Sequence, residues 1–207
     1  MKETLSEKSC AAFTEALASR AAVPGGGGAS ALVGALGVAL GHMVGALTVG
    51  KEKYTAVEAD LQRLMERAED LRRRLLACVQ KDAEAFEPLS RAYAIPREDP
   101  ERDAIMESCL RDAAAVPLEI LDLCCEAIEL QRAFADKGSA LAVSDAATGA
   151  ALCWSALCGA AVNVKVNTKS MKDRAYAEAL NAHVDRQMAQ YRPTAEKVYQ
   201  DVYGRFC

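Results

Sequence analysis

The chain has 207 residues, of which 51% are hydrophobic and 26% are charged, and its net charge is −4. This length suits one domain with a substantial buried core. An acidic chain with a pI near 5.4 and no basic stripe is not expected to bind nucleic acid. The eight cysteines include no CxxC pair, and the first residues contain no apolar signal-peptide region. We therefore predict reduced thiols, a cytoplasmic location and no metal site.

Small side chains dominate the composition, because alanine is the most frequent residue and aromatic residues make up only 5%. Alanine favours helices and close helix packing over sheets, so we predict an all-α fold. A first amphipathic helix is predicted over residues 2–20. The segment VPGGGG at 23–28 should end it, and a second helix should follow at 29–49. The N-terminus of that helix would then lie on a glycine loop, with unpaired backbone N–H groups.

Two segments, 29–49 and 146–164, contain no formal charge when histidine is counted as neutral. The first is long enough to span a bilayer, and its glycines at four-residue intervals also occur in packed membrane helices. Alanine and glycine gain little in lipid, however, and His42 lies in the middle of the segment. We therefore predict two buried helices rich in small residues and no membrane partner, with a membrane anchor as the alternative.

A long helix is predicted over residues 53–93, because apolar residues recur there in steps of three and four. After a turn at 95–100, a partner helix should cover 101–137, kinked or divided at Pro117. Helices joined by so short a turn should pack as an antiparallel hairpin. Beyond Gly138 we predict the second small-residue helix up to about residue 164 and a polar connection. A helix at 171–190, a break at Pro193 and a short helix at 194–203 complete the single predicted domain, 1–207.

Three features depart from plain packing. The glycine loop at 25–28 opens a helix, where an anion can bind, although glycine clusters are also common in simple turns. Asp145 lies at the start of an uncharged helix. It is either a helix cap or a carboxylate that transfers protons. The recurring apolar residues of 53–93 form a seam along one helix face, and Asp82 takes a position in that seam where a hydrophobic residue is expected. Asp82 could belong to a buried ion pair, lie at the exposed edge of the seam, or be a functional acid. Lys51 and Lys53 could pair with this acid, hold an acidic ligand, or simply favour a helix C-terminus.

Four stretches, in order along the chain, resemble the folate cyclodeaminase/cyclohydrolase family. They are VPGGGGASALVGALGVALGHMVGALTVGKEKY (23–54), DAEAFEPLSRAY (82–93), VPLEILDLCCEAIEL (116–130) and AVSDAATGAALCWSALCGAAVNVKVNTKSMKDR (142–174). The family includes formiminotetrahydrofolate cyclodeaminases, often fused to a formiminotransferase, and free-standing methenyltetrahydrofolate cyclohydrolases. The resemblance implies a multihelical fold, a dimerisation element in the hairpin 53–137, and a homodimer that binds a reduced folate near the subunit contacts.

The resemblance also implies site residues. The family's catalytic acid falls in an SD motif, which places it at Asp145, and we hypothesise that Asp82 and Lys51 shape its protonation or orient the substrate. The expected substrate-binding residues in the glycine strip, its flanks and the NVKVN stretch are Pro24, Gly25, Gly26, Gly27, Gly28, Ser30, Asn163 and Asn167. Tyr54, whose ring could stack on a flat ligand, is also included. The strip has one extra glycine where many cyclodeaminases have serine. No cofactor beyond the folate and no metal are expected.

The activity is less closely defined than the family. This sequence contains no formiminotransferase region, which favours a methenyltetrahydrofolate cyclohydrolase that draws on a diffusing folate pool. Formiminotetrahydrofolate cyclodeaminase, which releases ammonia, is the alternative. A non-enzymatic helical dimer that retains the fold is a second alternative, because the apolar seam of the long helix also suits self-association.

Overall fold

Helices form all the regular structure in residues 4–207, which are the residues that the computed structural model describes. The six α-helices are α1 (Cys10–Leu17), α2 (Gly26–Ala46), α3 (Glu58–Ala92), α4 (Arg102–Lys137), α5 (Val143–Ser170) and α6 (Arg174–Tyr203). Short 3₁₀ turns cover Leu5–Glu7, Glu52–Val57 and Gly204–Phe206. The predicted all-α fold is confirmed. Of the first predicted helix, residues 2 and 3 lie outside the described residues, and the helix proper begins only after Ser9, whose hydroxyl accepts the Ala12 N–H.

The glycines at 26–28 belong to a helix, not to a loop. Helix α2 begins at Gly26, three residues before the predicted start, and the Ala29 N–H donates to the Gly25 carbonyl over 3.0 Å. Glycine weakens a helix because its backbone loses much entropy. Here an acceptor from another helix compensates, since Asp82 of α3 binds the Gly28 N–H. This long-range cap is not visible in the local sequence.

The predicted division at Pro117 and the predicted break at Pro193 are both wrong. Helix α4 runs through Pro117 without dividing, and α6 runs through Pro193 to Tyr203. Helix α5 also continues to Ser170, across most of the predicted polar connection. A proline inside a helix costs about 3 kcal/mol. Buried residues on both sides of each proline, such as Ile120 after Pro117, offset this cost by packing into the core.

The glycines of α2 form a stripe that receives neighbouring helices at close range. A Cβ on Gly37 would lie 2.6 Å from Cys153 Sγ and 2.9 Å from the Gly149 carbonyl oxygen, both on α5. A Cβ on Gly41 would lie 2.8 Å from the amide group of Gln131 on α4. The Gln131 Nε2 in turn donates to the Gly37 carbonyl over 2.7 Å. The predicted close packing of helices rich in small residues is therefore confirmed, but only half of the apolar window in each of α2 and α5 is buried.

We expect Gly37→Ala to lower the free energy of unfolding by about 1–3 kcal/mol, because the added methyl group overpacks the α2–α5 contact. Urea unfolding would measure this loss. Gly204→Ala is the control, since a Cβ there meets nothing within 4 Å. Equal stability of the two variants would contradict the close contact.

Helices α2 and α5 run antiparallel. Near the start of α2, Gly26 faces Asn163 and Ser30 faces Gly159, whereas Gly37 faces Cys153. The N-terminal end of each helix therefore lies beside the C-terminal end of the other. This arrangement determines which predicted site residues meet.

The predicted hairpin is present in α3 and α4. Lys137, at the end of α4, pairs with Asp60 at the start of α3, and Lys81 pairs with Glu119 over 3.1 Å nearer the middle. The apolar seam of α3 is buried within the chain; its buried members include Leu61, Ala68, Leu71, Leu75, Cys78 and Leu89. Self-association through that seam, as the second alternative required, would need the bundle to open.

Helices α2 and α5 are each long and apolar enough to cross a membrane, judged by length and composition alone. Half of the apolar window in each helix is buried inside the bundle. Core helices of soluble proteins pass the same test, so this likeness to membrane spans is weak evidence.

All eight cysteines are free thiols. Burial raises the pKa of Cys78 to about 11 and that of Cys153 to about 12, and it also raises the pKa of Cys124. These three thiols therefore stay protonated at neutral pH and act as small hydrophobic side chains.

Candidate functional site

A cavity of about 180 Å³ opens at the N-terminus of α2. We call it the glycine-turn cleft, and its lining comes from the α1–α2 connection and from α2, α3, α4 and α5. The lining residues are Ala22, Val23, Gly25, Gly26, Gly27, Asp82, Phe86, Ala113, Pro117, Asn163, Val166 and Asn167.

Asp82 reaches this cleft from α3 and contacts the first turn of α2. Its Oδ2 accepts a hydrogen bond from the Gly28 N–H over 2.8 Å. Its Oδ1 lies where a side chain on residue 27 would begin, because a Cβ on Gly27 would be 2.1 Å from that oxygen. Glycine at position 27 therefore makes the space that the carboxylate occupies.

The environment of Asp82 disfavours its charge. Burial raises the pKa of this carboxyl group above its usual value, and the hydrogen bond from Gly28 opposes that rise. Among residues 4–207, no cation forms a salt bridge with Asp82, so the ion-pair interpretation of this seam acid is wrong within the described chain. A half-buried carboxylate without a countercharge is typical of a functional site.

Two asparagines of α5 form the opposite wall. The Asn163 Nδ2 donates to the Gly159 carbonyl over 2.8 Å. The Asn167 Nδ2 donates to the carbonyls of Ala113 and Asn163, each over 3.0 Å. Asn167 is only 9% exposed, and its Oδ1 accepts no hydrogen bond from residues 4–207. Because Asn167 lines the cavity, this unpaired acceptor is available to a ligand in the cleft.

The other predicted binding residues near α2 support this cleft from behind. Pro24 is buried and lies close to Gly28. The Ser30 hydroxyl donates to the Gly26 carbonyl over 2.7 Å, so it stabilises the first turn of α2. Neither Pro24 nor Ser30 lines the cavity.

Lys51, Tyr54 and Asp145 lie at the other end of the α2–α5 pair. The Lys51 Nζ donates to the Ser139 hydroxyl over 3.3 Å, and the Tyr54 hydroxyl accepts the Ala140 N–H over 3.2 Å. The hydrogen bond from Ala140, with a smaller contribution from Ser139, lowers the pKa of Tyr54. We call these residues, with Asp145, the Lys51 cluster.

Asp145 lies in the first turn of α5, as predicted, and it is partly exposed. Its carboxylate has no hydrogen-bond or salt-bridge partner in the part of the chain from residue 4 onward. Eighteen residues of α5 separate Asp145 from Asn163, which is about 27 Å at the rise of an α-helix. Within one chain, the predicted site residues therefore form two groups at opposite ends of α5.

Sequence reasoning missed the apolar wall of the cleft, formed by Phe86, Ala113, Pro117 and Val166. Phe86 could have been found, because it follows Asp82 by four residues and so shares its helix face. Ala113 and Pro117 are paired by the same spacing on α4, but nothing in the sequence says that this face meets α5.

The comparisons with known proteins agree with this fold. Residues 9–186 match the family model described as formiminotransferase-cyclodeaminase. The chain is 40% identical over 197 residues to a methenyltetrahydrofolate cyclohydrolase of Methylorubrum extorquens, covering 93% of this chain and 95% of that protein.

The cyclodeaminases are more distant. A formimidoyltransferase-cyclodeaminase of Rattus norvegicus is 28% identical over 208 residues, and this chain spans 38% of its length. The crystal structure of formiminotetrahydrofolate cyclodeaminase from Thermotoga maritima superposes with a TM-score of 0.89 at 28% identity, covering 97% of this chain and 98% of that one. The chain belongs to the formiminotransferase-cyclodeaminase family.

Proposed function

We propose that the protein is a methenyltetrahydrofolate cyclohydrolase of cytoplasmic one-carbon metabolism. The supporting observation is the 40% identity to a cyclohydrolase over nearly the whole length of both chains. In this reaction, water adds to the methenyl carbon that bridges two folate nitrogens, one carbon–nitrogen bond breaks, and formyltetrahydrofolate and a proton are released. The bridge carbon is amidinium-like and already electrophilic, so the proposal needs no metal and no further cofactor.

The chemistry requires a group that takes a proton from the attacking water and returns one to the departing nitrogen. A single carboxylate can do both. We assign this role to Asp145, with Lys51 and Tyr54 beside the substrate. Asp82 and the other residues of the glycine-turn cleft orient the substrate from the opposite end.

Because these two groups lie about 27 Å apart along α5, one bound folate would reach both more easily across two copies of the chain. We therefore propose a homodimer. An exposed apolar surface on α2, α5 and the segments next to them supports it, with Leu36 being 53% and Val162 62% exposed. We call this surface the apolar face; its members are Leu36, Met43, Leu47, Leu141, Val162 and Val166. The apolar face extends from the glycine-turn cleft to the Lys51 cluster. If two copies packed these faces together in antiparallel orientation, the cleft of one copy would lie beside the Lys51 cluster of the other.

We expect Leu36→Glu to convert the dimer to a monomer and to abolish most of the turnover, because a charge would be buried at the centre of the apolar face. Analytical ultracentrifugation and the hydrolysis assay would measure both effects. Ile105→Glu is the control, since it places the same charge at an exposed apolar residue of α4 that does not belong to the apolar face. If Leu36→Glu remained a dimer, the apolar face would not be the interface, and the hairpin 53–137 would be the expected interface instead.

A paired assay on the purified protein tests the activity. One arm follows the loss of methenyltetrahydrofolate absorbance at a pH where uncatalysed hydrolysis is slow, and the other follows ammonia release from formiminotetrahydrofolate. Faster hydrolysis alone is the expected result. Ammonia release with methenyl formation would instead support cyclodeaminase activity, which the Rattus norvegicus and Thermotoga maritima proteins carry in their names. Absence of both activities, with folate still bound, would support the non-enzymatic dimer.

A further inference from the structure

The glycine-turn cleft is smaller than the ligand proposed for this protein. Its volume is about 180 Å³, whereas pockets that enclose a whole drug-sized molecule measure about 300–1,000 Å³. The cleft can therefore enclose one ring system of a folate, and the remainder of the molecule must lie outside it.

The charge of the lining residues determines which part of the folate can enter the glycine-turn cleft. Asp82 is its one charged lining residue, and no lysine or arginine lines it among residues 4–207. The positive end of the α2 dipole already faces Asp82 through the Gly28 N–H. A second carboxylate in this space would meet the like charge of Asp82 at close range. The glutamate tail of a folate is therefore disfavoured here, although a glycine-rich helix start alone suggests an anion site.

The hydrogen-bonding groups of the cleft match the other end of the folate. The pyrimidinone edge of a pterin carries a ring N–H and an amino group side by side, and a carboxylate accepts such a pair of donors through its two oxygens. The Asp82 Oδ1 accepts no hydrogen bond from residues 4–207, and Oδ2 has one bond only, from Gly28. The free Asn167 Oδ1 adds another acceptor, while Phe86 and Val166 supply apolar contact for a flat ring.

Resting on the proposed function, we propose that the glycine-turn cleft binds the pterin ring of the reduced folate, with the Asp82 carboxylate accepting hydrogen bonds from the pyrimidinone N–H and amino groups. The methenyl bridge then lies towards the mouth of the cleft, and the benzoylglutamate tail lies outside. Asp82 is thus a specificity-determining residue that holds the edge of the ring remote from the reacting carbon. The proton shuttle must come from another residue, in agreement with the role assigned to Asp145.

Binding of folate fragments to the full chain tests this assignment. Isothermal calorimetry would be run with 6-methyltetrahydropterin, with p-aminobenzoylglutamate and with 5-formyltetrahydrofolate. We expect Asp82→Asn to weaken the tetrahydropterin and the folate by about 10- to 100-fold, because one acceptor for the donor pair and the negative charge are lost. The affinity for p-aminobenzoylglutamate should not change.

The Asp82→Asn variant retains an amide oxygen that can accept the Gly28 N–H, so the start of α2 is preserved; thermal unfolding would verify this. Glu87→Gln is the matched control, because it removes one negative charge from the exposed side of the same helix. Unchanged tetrahydropterin affinity in Asp82→Asn, or a loss confined to p-aminobenzoylglutamate, would overturn the assignment while leaving the proposed function intact. If the unaltered protein bound no reduced folate, the proposed function would fail, and the assignment with it.

Discussion

Asp145→Asn is expected to lower kcat by about 10²–10⁴-fold, the usual contribution of a positioned proton-transfer group. The amide has nearly the same shape as the carboxylate but can neither accept a proton from water nor return one to a departing nitrogen. Since the Asp145 carboxylate forms no hydrogen bond or salt bridge within residues 4–207, its replacement should leave the fold intact. The affinity for 5-formyltetrahydrofolate should also remain.

Steady-state kinetics and calorimetry on the same preparation would separate these effects. Asp136→Asn serves as the control, because it removes an exposed carboxylate of α4 that belongs to neither the cleft nor the Lys51 cluster. Normal turnover with normal folate binding would show that Asp145 is only a first-turn acid favoured by the helix dipole.

Gly27→Ala is expected to damage both binding and stability, although only one methyl group is added. Its Cβ would lie 2.1 Å from the Asp82 Oδ1, so the carboxylate must move and release the Gly28 N–H. Overpacking of this kind costs about 1–3 kcal/mol in the free energy of unfolding. The loss of the positioned carboxylate should also raise the KM for methenyltetrahydrofolate by about 10-fold or more.

Two other glycines separate the causes. Gly25→Ala makes the same change at an extended residue with nothing within 4 Å, so its unfolding temperature should match that of the unaltered protein. Gly204→Ala, remote from the cleft and also unobstructed, should keep the original KM. If Gly27→Ala had the unfolding temperature of Gly25→Ala and the KM of Gly204→Ala, the carboxylate would not occupy the space beside residue 27.

Helical periodicity made much of the fold predictable. The spacing of apolar residues in 53–93 identified α3, and the glycine interval in α2 marked a side that neighbouring helices approach closely. The errors lie where tertiary contacts outweigh local preference. Pro117 and Pro193 continue their helices because the packed core offsets a missing backbone hydrogen bond.

The site was predictable in its parts but not in its assembly. Asp82 could be found as a carboxylate in an apolar seam, and the glycines at 25–28 as a loop that opens a helix. Their meeting with Asn163 depends on the antiparallel packing of α2 and α5. The same packing moves Asp145 away from them, and no spacing within a single helix shows which ends of two helices will be neighbours.

The glycine stripe of α2 also bears on the order in which the chain is made. Gly37 packs against Cys153, and most of the polypeptide lies between the two residues. During synthesis, α2 therefore leaves the ribosome well before α5 is translated. Its apolar surface stays exposed until α5 has been made and can pack against it. Long-range closure of this type is slow and leaves intermediates prone to aggregation. Truncation before α5 would thus remove the partner that α2 needs in order to be buried.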